Sequence, residues 1–551
     1  YRSDYLDEDI RWEGRGDFRN DTRCPDCLSR GRSPPAQAEY RCLDCFIPDL
    51  VCVECCVKRH QRHPFHVVEK WTGKTFCRTS LKALGLRIHL NHAGMRCPLP
   101  IECHREFRVL HTNGIHDLLR RGLYPASQVS TRTCVTFTLL RLIHLLSLTS
   151  KISMYDLYRA LERLTNNSGG DAPKSRYRPL LRVGLQWRHL KMLKRAGRAH
   201  DEAGVAATRD GELAVMCPSC PHPGINLPEG WDEAPKEQAF LYQLLLCMDA
   251  NFRLKNQLVS NWSQDPGLGI GWAYMVRREP YEAYVLSRAD DADISTCVGF
   301  QALAQALTRF SKGLRYTGVG GVFCGRGEMF MPNGVGNLQK GERYANMDYI
   351  IASAMTHFHE LRSVGLSYDI CCQWYPNMHQ RMTGWPEQLR IPPTLATRPL
   401  IPKFHEPAHN EKAHEQYSFN LAVGFGKSDG EVPERGWAGH NGLGNTTKTQ
   451  GPGSRHDVLD DHFGSWNWVK YRTMGMYFFI FLVHRPVVLT SLQGLRLFGN
   501  TRRRSLSEIG RRRPIVASLS PFLGTWLGTG ITCASYGRRT AFPRQNPTPT
   551  K

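Results

Sequence analysis

Nine cysteine and histidine side chains near the start of the chain have the spacing of metal ligands: Cys24-x2-Cys27, Cys42-x2-Cys45, Cys52-x2-Cys55, then His60, His63 and His66. Zinc takes four nitrogen or sulfur ligands in a tetrahedron, and a two-residue gap lets one turn present two thiolates to one ion. Taken alternately, Cys24, Cys27, Cys52 and Cys55 make one set. Cys42, Cys45, His60 and His66 make the other, with His63 as an alternative to one of the histidines. A full ligand set leaves no open position, so a structural role is expected for both ions. His89, His92, Cys97 and Cys103 could form another site, but their spacing is irregular. Cys217-x2-Cys220, followed by His222, is a half-site that needs two further ligands.

A second kind of chemistry rests on carboxylates. FLYQLLLCMDANFRL sets Asp249 at the end of an apolar, strand-like run, and LRSVGLSYDICCQW sets Asp369 at the end of another. Glu431 and Glu434 follow in DGEVPER. Two-metal phosphoryl transfer needs carboxylates that converge from separate elements to hold two divalent ions, one activating the nucleophile and one stabilising the leaving oxygen. Acids at the ends of neighbouring strands, with a third on a later helix, satisfy that demand. HDVLDDHFGSW, from His456 to Trp466, is a rival acidic cluster, read here as helix capping.

These residues sit in a chain of 551 residues that is 41% apolar and 22% charged, enough for a sizeable core and two to four domains. Residues 1–19 are expected to be a disordered or truncated N-terminal stretch, since the chain starts without Met. Residues 20–105 form the cysteine-rich region. Residues 106–235 read as helical and basic, because CVTFTLLRLIHLLSLTSKISMYDLYRALERL repeats apolar residues at helical spacing before the breaker NNSGGDAP. Residues 236–470 mix strand-like runs with glycine-rich turns. Residues 471–551 carry 13 basic residues and one acid, Glu508, and change character so abruptly that intron read-through or a shifted frame is expected. The most apolar stretch, MGMYFFIFLV, is too short to span a bilayer, and no secretory signal is visible, so no membrane partner is expected. Cysteines paired in CxxC beside histidines point to bound zinc in a reducing compartment rather than to a disulfide framework.

The net charge of +22 points to a polyanionic partner. PKSRYRPLLRVGLQWRHLKMLKRAGRAH carries nine Lys and Arg residues between Lys174 and Arg198, with aromatic side chains interleaved. Arg176, Arg178, Arg188, Lys191, Lys194 and Arg195 are the candidates there for phosphate contact, with Tyr177 and Trp187 able to stack on unpaired bases.

DANFRLKN, DPGLGIGWAYMV, TGVGGVFCGRGEM, PNGVGNLQKGERYANMDYI, SYDICCQW, IPKFHEPAH and GPGSRHDVLDDHFGSWNW occur in that order, and together they resemble the Kyakuja-Dileera-Zisupton (KDZ) transposases, DNA transposases abundant in mushroom-forming fungi. The front end resembles the CxC-type cysteine cluster associated with them, and its paired ligands resemble a B-box-like or treble-clef-like zinc fold. The resemblance spans roughly residues 20–470. It implies an α/β chain whose RNase H-like mixed-sheet catalytic core carries helical insertions. It also implies a DDE triad in which Asp249 and Asp369 take the two Asp positions and Glu431 the Glu position, with Glu434 as second choice. Mg²⁺ (or Mn²⁺) at that triad and Zn²⁺ at the cysteine cluster would serve a nuclear enzyme that cleaves transposon DNA and joins it to target DNA, with a homo-oligomer on DNA left open. The chain departs from the family pattern at Gly327 and Phe300, where histidine is usual. The alternative is a catalytically degenerate or domesticated protein that uses its zinc module to bind DNA or other proteins.

Overall fold

The computed structural model describes residues 11, 13–47, 49–87, 108–116, 123–127, 132–167, 174–288, 313–408 and 414–483. The irregular His89, His92, Cys97 and Cys103 set, Phe300 and nearly all of the basic tail lie outside the described residues. The chain divides into two compact units, Tyr1–Lys191 and Met192–Lys551.

In the first unit, helix α1 (Pro25–Ser29), strand β1 (Tyr40–Cys42), helix α2 (Val53–Arg59) and strands β2 (Val68–Trp71) and β3 (Phe76–Thr79) build an antiparallel three-stranded sheet flanked by two short helices. Each helix begins directly after a cysteine, Cys24 and Cys52, so the paired cysteines straddle a helix start. Then come β4 (Arg108–His111), β5 (Gly114–His116), β6 (Leu123–Pro125) and β7 (Thr133–Thr136), in the sheet order β5-β4-β7-β6. A region read from sequence as mainly helical therefore opens with strands. Its short β-branched segments, such as TCVT, pair with neighbours too distant in sequence for a helical-period reading to register.

Helices α3 (Phe137–Ser150) and α4 (Met154–Thr165) follow. Thr136 caps α3 by accepting from the Leu139 amide, and Ser153 caps α4 by accepting from the Asp156 amide. Their apolar faces, including Leu139, Leu140, Ile143, Leu157 and Leu161, pack with Leu180 and Val183 of α5 (Tyr177–Arg195).

The second unit centres on a five-stranded mixed sheet. Its strands are β8 (Leu244–Asn251), β11 (Gly318–Cys324), β12 (Phe330–Leu338), β13 (Ser363–Ser367) and β14 (Ala396–Leu400), in the order β12-β11-β8-β13-β14. β8 and β11 are antiparallel, as are β11 and β12, while β13 runs parallel to both β8 and β14. The short β9 (Asn256–Gln257) and β10 (Leu314–Tyr316) pair separately. Helix α6 (Arg278–Ser287) lies between them in sequence, and α7 (Tyr344–Met355) links β12 to β13. After β13 come α8 (Cys371–Trp374) and α9 (Met378–Met382), and after β14 come α10 (Val432–His440), α11 (Leu443–Thr447) and the long α12 (Pro452–Val483).

Central β8 shows why LLLC reads as a continuous apolar run: both of its faces are covered. Leu244, Leu246 and Met248 join the core that contains α7, whereas Leu245 and Cys247 join the core that contains Val432, Trp437 and Phe463. Asp249 has the parity of Leu245 and Cys247, so it belongs to the face covered by α10. That helix comes close to the sheet because glycine stands at both contacts. A Cβ on Gly321 would lie 2.7 Å from the Trp437 ring, and one on Gly436 would lie 2.4 Å from Phe323.

Among the described residues, no helix is long and apolar enough to cross a membrane.

Candidate metal centres and acidic site

The first unit gathers Cys24, Cys27, Cys52 and Cys55 into one group and Cys42, Cys45, His60 and His66 into another. Within each group every ligand atom lies within 4.8 Å of the others. Both groups are compatible with zinc binding. His60 turns its Nδ1 to the Cys56 carbonyl oxygen at 2.7 Å, which leaves Nε2 facing Cys45 Sγ at 3.4 Å. A carbonyl partner on the other ring nitrogen fixes the tautomer and orientation that a metal-ligating imidazole needs. His66 presents Nδ1 at 3.4 Å to both Cys42 and Cys45. His63 stacks on the His66 ring, with centroids 4.9 Å apart. Burial lowers the pKa of both His60 and His66, favouring the neutral form that ligates. Cys56 remains a buried thiol beside the group, raised to about 12 by burial.

In the second unit the acids converge through strand register. β13 pairs with β8 at a constant offset, Val364 with Leu244 through Ser367 with Cys247. Asp369, two residues beyond the strand, stands at the same offset from Asp249. Neighbouring strands are about 4.8 Å apart, so the two acids emerge side by side from adjacent parallel strands. Asp249 accepts a hydrogen bond from the Trp437 indole at 3.0 Å. The His405 ring bridges the other two elements, with Nε2 at 3.3 Å from Asp369 Oδ2 and Nδ1 at 3.6 Å from Glu431 Oε1. Glu431 sits at the N-cap of α10 and accepts the Phe404 amide at 2.7 Å. Glu434 lies in the first turn of the same helix, exposed.

Burial pushes Asp249 well above the usual carboxylate range, and the charges of Asp369, Glu342 and Glu434 push the same way. Asp369 is raised by burial and then by Glu342, Glu431 and Glu434. Glu342, brought to about 7 by burial, takes a hydrogen bond from the Tyr368 hydroxyl. His405 is raised, first by its contact with Glu431. The site is therefore a half-buried set of mutually repelling acids, with Glu434 at its exposed rim, an arrangement that cations relieve. These carboxylates are more open than the cysteine sets and are not among the groups whose ligand atoms all lie within 4.8 Å.

Glu342, His405 and Trp437 were not singled out from the sequence. The first two lie inside GERYANMDYI and IPKFHEPAH, strings that carry the family resemblance without showing which of their side chains turn inward.

The rival cluster does not cap a helix. His456, Asp457, Asp460 and Asp461 are buried within α12. Asp457 accepts the Leu268 amide at 3.0 Å, and Asp460 Oδ1 accepts the amides of Tyr274 at 3.1 Å and Met275 at 3.0 Å. They hold a neighbouring loop.

Of the basic candidates, Arg178 and Lys194 are exposed, and Arg176, Lys191 and Arg195 are half-buried. Lys191 Nζ stands 4.5 Å over the Trp187 ring. Arg188 corrects the sequence reading: it is buried on the inner face of α5 and donates to the Ser147 hydroxyl. Composition could not separate the inner face of this helix from the outer one.

Comparison with known protein families gives two matches. Residues 242–467 match the family model of Kyakuja-Dileera-Zisupton transposase, and residues 81–169 match that of the CxC2-like cysteine cluster associated with KDZ transposases. The transposase match covers 226 of the 551 residues, including the five-stranded sheet, Asp249, Asp369, Glu431 and Glu434. The cysteine-cluster match begins after the two Cys/His groups, and the transposase match ends within α12. No curated protein and no solved structure matches the chain.

Proposed function

We propose that the chain is a DDE-type DNA transposase built on an RNase H-like core. The single observation that carries this reading is the approach of Asp249 and Asp369 from adjacent parallel strands to the helix bearing Glu431 and Glu434, within one mutually repelling set. The sheet supports it: in chain order its strands lie 3-2-1-4-5, with the second strand alone antiparallel to the other four. Asp249, Asp369 and Glu431, with Glu434 as second choice, would hold two Mg²⁺ (or Mn²⁺). Such ions would activate the attacking water or 3′ hydroxyl and stabilise the leaving oxygen during cleavage and strand transfer.

The protein's own part is positional. Trp437 fixes the Asp249 carboxylate through its indole N–H. The Phe404 amide holds Glu431. His405 keeps the carboxylates of two elements on one ring. The exposed Arg178 and Lys194, flanked by Arg176, Lys191 and Arg195, suit a DNA backbone. Zn²⁺ at the two N-terminal groups would hold the first unit in shape. Action in the nucleus, and assembly as a homo-oligomer on the DNA ends, belong to the same proposal.

The test is Mg²⁺- or Mn²⁺-dependent nicking of the element's ends by the full chain. Asp249→Ala and Asp369→Asn should each lower it by about 100-fold or more, since even partners one shell outside a metal site are worth ~10- to 100-fold. Cleavage unchanged by either substitution would sink the assignment. The more open spacing of the carboxylates favours a second reading, a degenerate copy that binds DNA without cutting it. That reading predicts salt-sensitive DNA affinity with no cleavage in either metal.

A further inference from the structure

We infer that Cys217, Cys220 and Cys324 form a third metal site in this chain, a three-thiolate site for a soft ion such as zinc, whose fourth coordination position is left open at Gly327. The three sulfurs lie within 4.8 Å of one another. All three residues are buried, and none is in a disulfide. They come from two places: Cys217 and Cys220 from the loop that precedes β8, Cys324 from the end of β11. The Arg326 and Gly327 amides donate to Cys324 Sγ at 3.4 and 3.2 Å, so the turn after this cysteine points its N–H groups at the sulfur. Donors so aimed stabilise a thiolate, the form that ligates.

The open position follows from spacing. Cys217 and Cys220 are the two ends of a CxxC turn, and Cys324-Gly325-Arg326-Gly327 repeats that step with glycine where the second ligand would stand. A Cβ built on Gly327 would lie 2.4 Å from Cys217 Sγ and 3.7 Å from Cys324 Sγ. The side-chain position of residue 327 thus points into the sulfur cluster and carries no ligand. The nearby polar side chains are otherwise engaged. His222 Nε2 lies 3.0 Å from the Cys217 carbonyl oxygen, and the Ser219 hydroxyl donates to Met474 Sδ at 3.4 Å. Four-coordinate zinc here would complete its shell with water or a small external ligand, in contrast to the closed four-ligand groups of the first unit.

The site staples the loop to the sheet away from the acids. Cys324 pairs with Leu246 of β8, whereas Asp249 pairs with Gly321, three residues along the strand. An ion held by three protein ligands exchanges faster than one held by four.

The experiment uses the full chain loaded with zinc and a competing chelator with a colorimetric readout. Three equivalents should bind, and one should leave in a distinct fast phase. Cys324→Ser should remove that phase and keep the other two. Gly327→His and Gly327→Cys, in which the Cys217 sulfur must turn aside, should slow it by about tenfold or more, because they add a direct ligand where even indirect partners are worth ~10- to 100-fold. Cobalt in place of zinc should give a visible spectrum that changes with the residue at 327. A fast phase absent from the wild type, or unchanged in Cys324→Ser, would overturn the site. Chelation rates unaffected by either Gly327 variant would overturn the open position. Should a variant fail to fold, alkylation of the native wild type decides: the three thiols should label only after chelation, and equal labelling with and without chelator refutes the inference.

Discussion

Asp460 separates a structural carboxylate from those proposed to be catalytic, and its neutralisation gives a signed result. It is buried in α12, and its Oδ1 takes two backbone amides, those of Tyr274 and Met275. Burial, then the charges of Asp457 and Asp461, raise its pKa from 3.8 to about 8, against the help of those amides. The nearby His456, lowered to about 3 by burial, is neutral and supplies no countercharge. A carboxyl with a raised folded-state pKa binds one proton more in the folded chain than in the unfolded chain. Its contribution to stability is therefore complete below about pH 4 and is lost as pH rises towards about 8, with a slope of roughly 1.4 kcal/mol per pH unit. Asp460→Asn keeps an acceptor oxygen for the two amides and removes the titration. Its urea midpoint, followed by tryptophan fluorescence, should gain on the wild type progressively between about pH 4 and pH 8 and level off above. Asp460→Ala leaves two buried N–H groups without an acceptor and should be less stable than Asp460→Asn by about 2–6 kcal/mol at every pH. Wild-type and Asp460→Asn stability curves that run parallel across this range would refute the reasoning. A cleavage defect in Asp460→Asn as deep as that of Asp249→Ala would return this cluster to contention as the metal site.

Mg²⁺ should raise the thermal midpoint of the wild type, by the equivalent of about 2.7 kcal/mol at a hundredfold excess over its dissociation constant. The shift should vanish in Asp369→Asn; a shift that survives would put the ion elsewhere. Cys52→Ser, or a strong chelator, should open the region around α1, α2 and β1–β3 to limited proteolysis, since structural zinc is worth on the order of 10 kcal/mol. Protection that persists after metal removal counts against zinc there. In DNA-binding titrations, Arg178→Ala and Lys194→Ala should each lower the slope of log affinity against log salt by about one. Arg188→Ala should lower thermal stability and leave that slope alone.

The sequence carried the first unit's ligand sets further than its folds. Alternation of consecutive CxxC pairs between two ions is legible because each pair and each histidine is locally spaced. The strands at 108–136 were not legible, because β4 pairs with β7 across more than twenty residues and no periodicity records that. In the second unit the separation of Asp249 from Asp369 was visible, but its meaning needed the register of two parallel strands. Cys324 was unreadable as a ligand, standing alone more than a hundred residues from its partners. Arg188 looked like its basic neighbours until the helix was rotated into place, and Asp460 looked like a cap until the loop it holds was seen.

The buried and half-buried acids of the second unit fall into two kinds, and the difference bears on function. Asp348 is paired with Arg381, which donates to both carboxylate oxygens at 2.8 and 3.0 Å, and also accepts the Trp374 indole. Asp457 and Asp460 take backbone amides. In these cases the protein supplies the donors that make burial of a carboxylate tolerable. Asp249 and Asp369 are different. Among the described residues neither has a Lys or Arg partner; one meets an indole, the other the His405 ring, and both face further acids. A fold that gives Asp348, Asp457 and Asp460 such donors, yet gathers the carboxylates of two strands and a helix around one indole and one imidazole, leaves much of their charge to be met from outside the chain. Divalent ions would supply that charge, and the phosphates of a DNA strand would share the same ions. The lack of a Lys or Arg partner for Asp249 and Asp369 among the described residues, rather than the number of acids, is what favours the proposed phosphoryl transfer over a structural role for this group.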